Sequence, residues 1–154
     1  MKVCRILFGS VLAGILIGIG ATAYIAAPDI VSGSLFFTVG LFAICFFGVD
    51  LFTGRSGYLL THPRRLAYAG ELLLIWAGNY AGAAAYSAAL RFAKPALAQK
   101  MSELWAGKIT QHPFAVFLLG VGCGLLIYIA VDNYRSSGSD VGKAVGILLC
   151  VPAF

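Results

Sequence analysis

The chain has 154 residues, 60% of them hydrophobic and 11% charged, with a mean hydropathy of +0.91 and a formal net charge of +5. No water-soluble domain of this size is so apolar, because its polar residues are too few to cover a surface and its apolar ones form blocks too long for one core to hide. No aromatic and basic pattern argues for nucleic acid, so the positive charge reads as a topology signal with a mild attraction for anions.

Taken in chain order, Ile6 to Ala27 is 22 residues without a charge, and a helix that spans a bilayer needs roughly 20. Lys2 and Arg5 precede it as in a signal peptide, but the run exceeds a signal core and further spans follow, so it is the first membrane helix. Ser32 to Val49 is a second block of 18 residues. The segment Gly48-Val49-Asp50-Leu51-Phe52-Thr53-Gly54-Arg55-Ser56-Gly57-Tyr58 then departs from a simple helix end: Gly54 and Gly57 permit positive φ, Asp50 and Thr53 offer bonds to freed backbone groups, and apolar sequence resumes at Tyr58. Two readings stand here. One is a break within the second helix, tolerated at membrane depth only where it is buried or lines a wet cavity; the other is an ordinary turn at the cytoplasmic surface.

Leu72 to Leu90, 19 residues, is the third span, and a long basic loop from Arg91 to His112 follows. Pro113 to Val131, also 19 residues, is the fourth, and Ala144 to Phe154, 11 residues, is too short to cross. The expected fold is thus an all-α membrane protein in a single transmembrane domain over residues 1–154, with four full spans and a partial fifth. With the N-terminus inside, the cytoplasmic segments hold Lys2, Arg5, Arg55, Arg64, Arg65, Arg135 and Lys143, against Arg91, Lys94, Lys100 and Lys108 outside. The seven-to-four excess predicts a multi-pass cell-membrane protein with a cytoplasmic N-terminus.

An internal repeat organises these blocks. Gly18 to Ala26 and Gly122 to Ala130 share the pattern G-x-G-x-x-x-Y-I-A at an offset of 104, and Val39-Gly40-Leu41-Phe42 pairs with Val145-Gly146-Ile147-Leu148 at an offset of 106. Three spans separate the copies. An odd number reverses the second copy in the membrane, which gives an inverted repeat of the kind that surrounds a site near the midplane. The first repeat covers about 6–90 and the second begins at about 113. Its counterpart of Asp50 to Gly57 and of the third helix would lie past Phe154, so the chain reads as two thirds of a six-helix design. Gly14-xxx-Gly18, Gly78-xxx-Gly82 and Gly120-xxx-Gly124 each put two glycines on one helix face for close packing.

Reactive chemistry is not indicated. Cys4, Cys45, Cys123 and Cys150 have no paired spacing, and His62 and His112 each sit beside proline in loops next to membrane entry points. Glu71 and Asp132 lie at block ends and read as interfacial. With no metal-ligand cluster, nucleophile-base pair or phosphate loop, no catalytic group, metal or cofactor is assigned and an enzyme is not expected.

Gly33-Ser34-Leu35-Phe36-Phe37 through Gly48-Val49-Asp50-Leu51-Phe52-Thr53-Gly54 resembles the second helix and following loop of the formate/nitrite transporter family, with its acid-Leu-Phe-Thr signature. Trp76-Ala77-Gly78-Asn79-Tyr80-Ala81-Gly82-Ala83 is similar to that family's third helix, and Gly142-Lys143-Ala144 to Phe154 to the start of its fifth. The resemblance runs in order over the whole chain. It implies pentamers in which each protomer, an aquaporin-like bundle of six helices, has its own pore. It also implies constriction positions at Phe37 and Leu41, a pathway past Leu51, Phe52, Thr53 and Gly124, and helix packing at Gly14, Gly18, Asn79, Gly82 and Gly120. Gly124 stands where well-known members carry an asparagine, and the family's Ser-Gly-Phe-Glu-His segment would begin after Phe154.

The expected function is a channel or passive transporter for small monovalent anions such as formate or nitrite, partnered by lipid and by copies of itself. The alternative is a truncated, non-transporting membrane scaffold or accessory subunit.

Overall fold

A computed structural model describes residues 2–153, and within them the chain is all helix and turn, with no strand. Seven α-helices follow one another: α1 (Lys2–Ala26), α2 (Ile30–Phe47), α3 (Phe52–Ser56), α4 (Arg65–Ala93), α5 (Pro95–Ile109), α6 (Pro113–Ser136) and α7 (Asp140–Cys150). A single 3₁₀ turn, Gly57–Leu59, extends α3.

Three of these, α1, α2 and α6, are long and apolar enough to cross a membrane. The expected third span lies inside α4, whose 29 residues make a rod of about 43 Å. Its apolar character is diluted by Trp76, Asn79, Tyr80, Tyr86 and Ser87. The segment expected as a loop between α4 and α6 is instead mostly helix. Pro95, which has no N–H to give, ends α4 at Lys94 and takes the first position of α5.

The helix starts are written in the sequence. Asp29 accepts from Ser32 N–H at 2.9 Å to cap α2, His112 caps α6 ahead of Pro113, and Ser139 caps α7. The α1–α2 and α6–α7 connections are both three residues long, Ala27 to Asp29 and Ser137 to Ser139.

Helix α1 lies between α2 and α4. Its contact with α4 is made by glycines: a Cβ on Gly82 would stand 2.0 Å from the Val11 carbonyl oxygen, and one on Gly14 would stand 2.1 Å from that of Asn79. Backbone thus meets backbone, and the dispersion contacts this creates are what holds helices together where lipid offers no hydrophobic drive. Gly20 and Gly40 join α1 to α2 in the same way, whereas their repeat counterparts differ: Gly124 has nothing within 4 Å, and Gly146 meets the side chain of Asn133.

One core, with Ala13, Leu41, Ile44, Leu51, Ile127, Ala130, Val131, Ile147 and Val151, joins α1, α2, α6 and α7 around the segment before α3. Around it the outward faces are apolar. Phe8, Phe36, Phe46, Leu73 and Phe117 are all more than half exposed, a surface suited to lipid and not to water.

Candidate functional site

The site grows from the end of α2. Gly48 adopts the left-handed conformation, φ 64°, its N–H bonding to the Cys45 carbonyl while Val49 N–H reaches the Ile44 carbonyl, both at 3.2 Å. This pair of bonds closes the helix and turns the chain, and glycine alone takes that backbone without strain. Val49, Asp50 and Leu51 then run without helical bonds before α3 begins at Phe52.

The freed backbone is satisfied by one side chain. Asn79 accepts from Phe52 N–H through Oδ1 and donates through Nδ2 to the carbonyls of Asp50 and of Ser10, all three bonds at 2.8 Å. Asn79 is the central residue of α4, fourteen positions from either end, about 21 Å along the axis. The interruption therefore packs against the middle of α4, while it meets α1 near Gly9 and Ser10 and α6 near Val131, and it is buried. Asp50 is 8% exposed and Leu51 9%. The segment is thus a buried interruption and not an exposed turn.

Charge within the break is compensated locally. Arg55 pairs with Asp50 at 2.5 Å, and the Asp50 carboxylate lies 3.3 Å from where a Cβ on Gly9 would stand. Tyr68, further down α4, donates its hydroxyl to the Arg55 carbonyl at 3.0 Å. Helix α6 holds the other side: Gly54 packs on Val131, Gly57 lies under the ring of Tyr128, and Tyr58 donates to Asp132 at 2.5 Å. Asp132, expected at an interface, is thus a structural acceptor for the broken segment.

Between α3 and α6 lies an open groove of about 500 Å³. Thr53 and Ser56 bring hydroxyl-bearing side chains to one wall, with Phe52, and Gly120, Gly124 and Phe117 form part of the other. Gly54 and Val131 border a separate enclosed space of about 20 Å³, room for one water molecule.

The expected pathway residues divide accordingly. Phe52, Thr53 and Gly124 meet at the groove. Leu41 is 0% exposed and Leu51 nearly so, both among the core side chains, and Phe37 is half-buried against that core. Of the expected packing residues, Gly14, Gly18, Asn79 and Gly82 lie between α1 and α4, Gly18 against the Tyr86 ring. A Cβ on Gly120 would meet no other part of this chain within 4 Å, and Gly120 lines the groove beside Gly124.

Residues 1–154, the whole chain, match the family model described as formate/nitrite transporter. The chain belongs to the formate/nitrite transporter family. A solved structure described as a pentameric formate channel with formate bound has the same fold, with a TM-score of 0.83 at 21% identity over 99% of this chain and 68% of that one. No curated protein matches the sequence. In this member of the formate/nitrite transporter family, the roles of Tyr68, Asn79 and Asp132 as partners of the broken helix are the part that sequence reading missed. A signal was present: Tyr68, Leu72, Ile75, Asn79, Gly82 and Tyr86 recur at spacings of four and three, one face of α4 that mixes polar and small residues. Among the described residues no group of His, Cys, Asp and Glu could hold a metal ion, and all four cysteines are free.

Proposed function

We propose that the protein passes small monovalent anions such as formate or nitrite across a cell membrane, as a channel or passive transporter. The observation that carries this reading is the buried interruption that follows the second helix, held by Asn79 and flanked by a groove. Irregular backbone within a membrane belongs where it is buried or borders a wet path. Membership in a family of transporters rather than enzymes supports it, and so does the fold of a neighbour described as a pentameric formate channel with formate bound.

On this reading the anion moves past Thr53, Phe52 and Gly124, and an apolar constriction at Phe37 and Leu41 admits a small, weakly hydrated anion once water is shed. Leu41 is core-packed here, so the constriction requires that core to open by side-chain motion. The protein sits as a multi-pass protein with its N-terminus in the cytoplasm, α4 acts as a fourth span, and the halves 6–90 and from 113 form an inverted repeat. The matched three-residue turns before α2 and α7 support that repeat. Homopentamers with one path per protomer follow from the family.

The test is reconstitution into liposomes with a formate-sensitive or nitrite-sensitive probe inside. Flux clearly above that of empty vesicles is expected. Its absence, from protein that runs as a stable ring in native electrophoresis, would overturn the reading and leave a scaffold.

A further inference from the structure

Helix α5 contributes no residue to the core or to the groove, and its surface carries a second assignment. It runs about 22 Å over 15 residues and none of them is buried. Lys100 donates from Nζ to the Ile25 carbonyl at 2.9 Å, which closes the C-terminal end of α1 and fixes α5 at that end of the bundle. There α1 and α4 stop, and α2 and α6 start, so α5 stands where the membrane helices leave the bilayer.

Its apolar residues form one stripe. Leu97, Met101 and Leu104 fall at intervals of four and three, with Ala98, Trp105 and Ile109 beside them, while Gln99 and Glu103 lie on the opposite side. The first half of the stripe is half-buried against the protein. The second half projects beyond it, with Leu104 48%, Trp105 66% and Ile109 63% exposed. Lys94 and Lys108 fall within the stripe's own sector, and the segment from Arg91 to His112 holds four basic residues against one acidic.

A protein partner on this stripe would have to bury two ammonium groups and supply carboxylates for them. A bilayer surface asks for neither: indole sits at the headgroup level, lysine stems lie along apolar surface while their ammonium groups reach out, and phosphates complement the charge. We propose that α5 is an interfacial helix that docks on anionic phospholipid headgroups, with Trp105 and Ile109 inserted below them and Lys94 and Lys108 on the phosphates. This rests on the chain being a membrane protein and is independent of whether it passes anions.

The chain has two tryptophans, so Trp76→Phe leaves Trp105 as the only indole. That full-length variant is reconstituted in phosphatidylcholine vesicles doped with brominated phosphatidylglycerol or brominated phosphatidylcholine. Trp105 fluorescence should be quenched more by bromines near the glycerol end of the acyl chains than by bromines near the chain terminus. Brominated phosphatidylglycerol should act more tightly, by about fivefold for each of the two lysines on the anionic surface. Lys94→Gln with Lys108→Gln should erase that preference and leave the shallow quenching. Equal action of the two lipids before the lysines are changed would overturn the headgroup assignment. Trp105 that ignores bromolipids would overturn the whole proposal: open to acrylamide it lies in water, and shielded from acrylamide it is covered by another copy of the chain.

Discussion

Asn79 gathers three backbone groups from two other segments, and each would otherwise be a polar atom inside an apolar bundle. Replacing it with alanine leaves the Phe52 N–H and the Asp50 carbonyl without partners, at a cost of about 1–3 kcal/mol for each buried group left unpaired. Asn79→Ala should therefore lower the unfolding free energy in mixed micelles by about 2–6 kcal/mol, and Asn79→Asp, which turns a carboxylate towards two carbonyls, should do at least as much harm. Equal stability of wild type and Asn79→Ala would refute the role. Asp29 acts at a helix start outside the membrane. The bonds it accepts from the Ser32 N–H and hydroxyl hold its carboxyl below the usual value of 3.8. A lowered folded-state value means that the cap's contribution is fully present above 3.8 and is lost as pH falls through the lower, folded value. Amide protection at Ser32 and Gly33 should accordingly drop on acidification below that range in the wild type. In Asp29→Ala it should already be low at neutral pH and change little. Residues of this kind were only half legible. Asp29 declares itself by its place before an apolar run, but Asn79 bonds to groups 27, 29 and 69 positions away, and no local pattern records such partners.

Helix α1 is held to α4 through positions where a side chain has no room. Gly82→Ala would put a carbon 2.0 Å from the Val11 carbonyl oxygen, so the helices must separate. The expected loss is about 1–3 kcal/mol. Gly70, on the same helix, is exposed with nothing within 4 Å. There the added methyl relieves only backbone entropy, and Gly70→Ala should stabilise by about 0.5–1 kcal/mol. Opposite signs from one substitution on one helix, read from unfolding midpoints in detergent, check the contact map directly; two shifts of the same sign would contradict it. The glycine pairs were visible in the sequence at 14 and 18 and at 78 and 82, and these meet a neighbour. The pair at 120 and 124 has the same spacing and lines open space instead. Spacing shows that two glycines share a face and is silent about what stands opposite. The helix from Pro95 to Ile109 escaped notice for a related reason: a short amphipathic segment with three charges reads as a polar loop until its stripe is seen against the bundle.

Across the whole molecule, the groove between α3 and α6 gives the transport proposal its sharpest check. Gly124 borders the groove with nothing within 4 Å, so Gly124→Leu should fill the space without disturbing the bundle. Formate or nitrite flux into liposomes should fall at least about tenfold, a barrier increase of about 1.4 kcal/mol, while the unfolding midpoint stays near that of the parent. Unchanged flux would move the path elsewhere. Composition alone determined that this is a helical membrane protein, since 60% apolar residues in long blocks cannot be hidden from water, and the order of motifs pointed to the family that the full-length match bears out. Only the tertiary structure decided that the break after Gly48 is buried among α1, α4 and α6, that Leu41 lies in the core, and which glycines touch a neighbour. The reason is physical. Lipid tails and protein interiors are equally apolar, so hydropathy cannot tell a face that meets lipid from one that meets a helix, and the polar partners that make a broken helix stable come from distant parts of the chain.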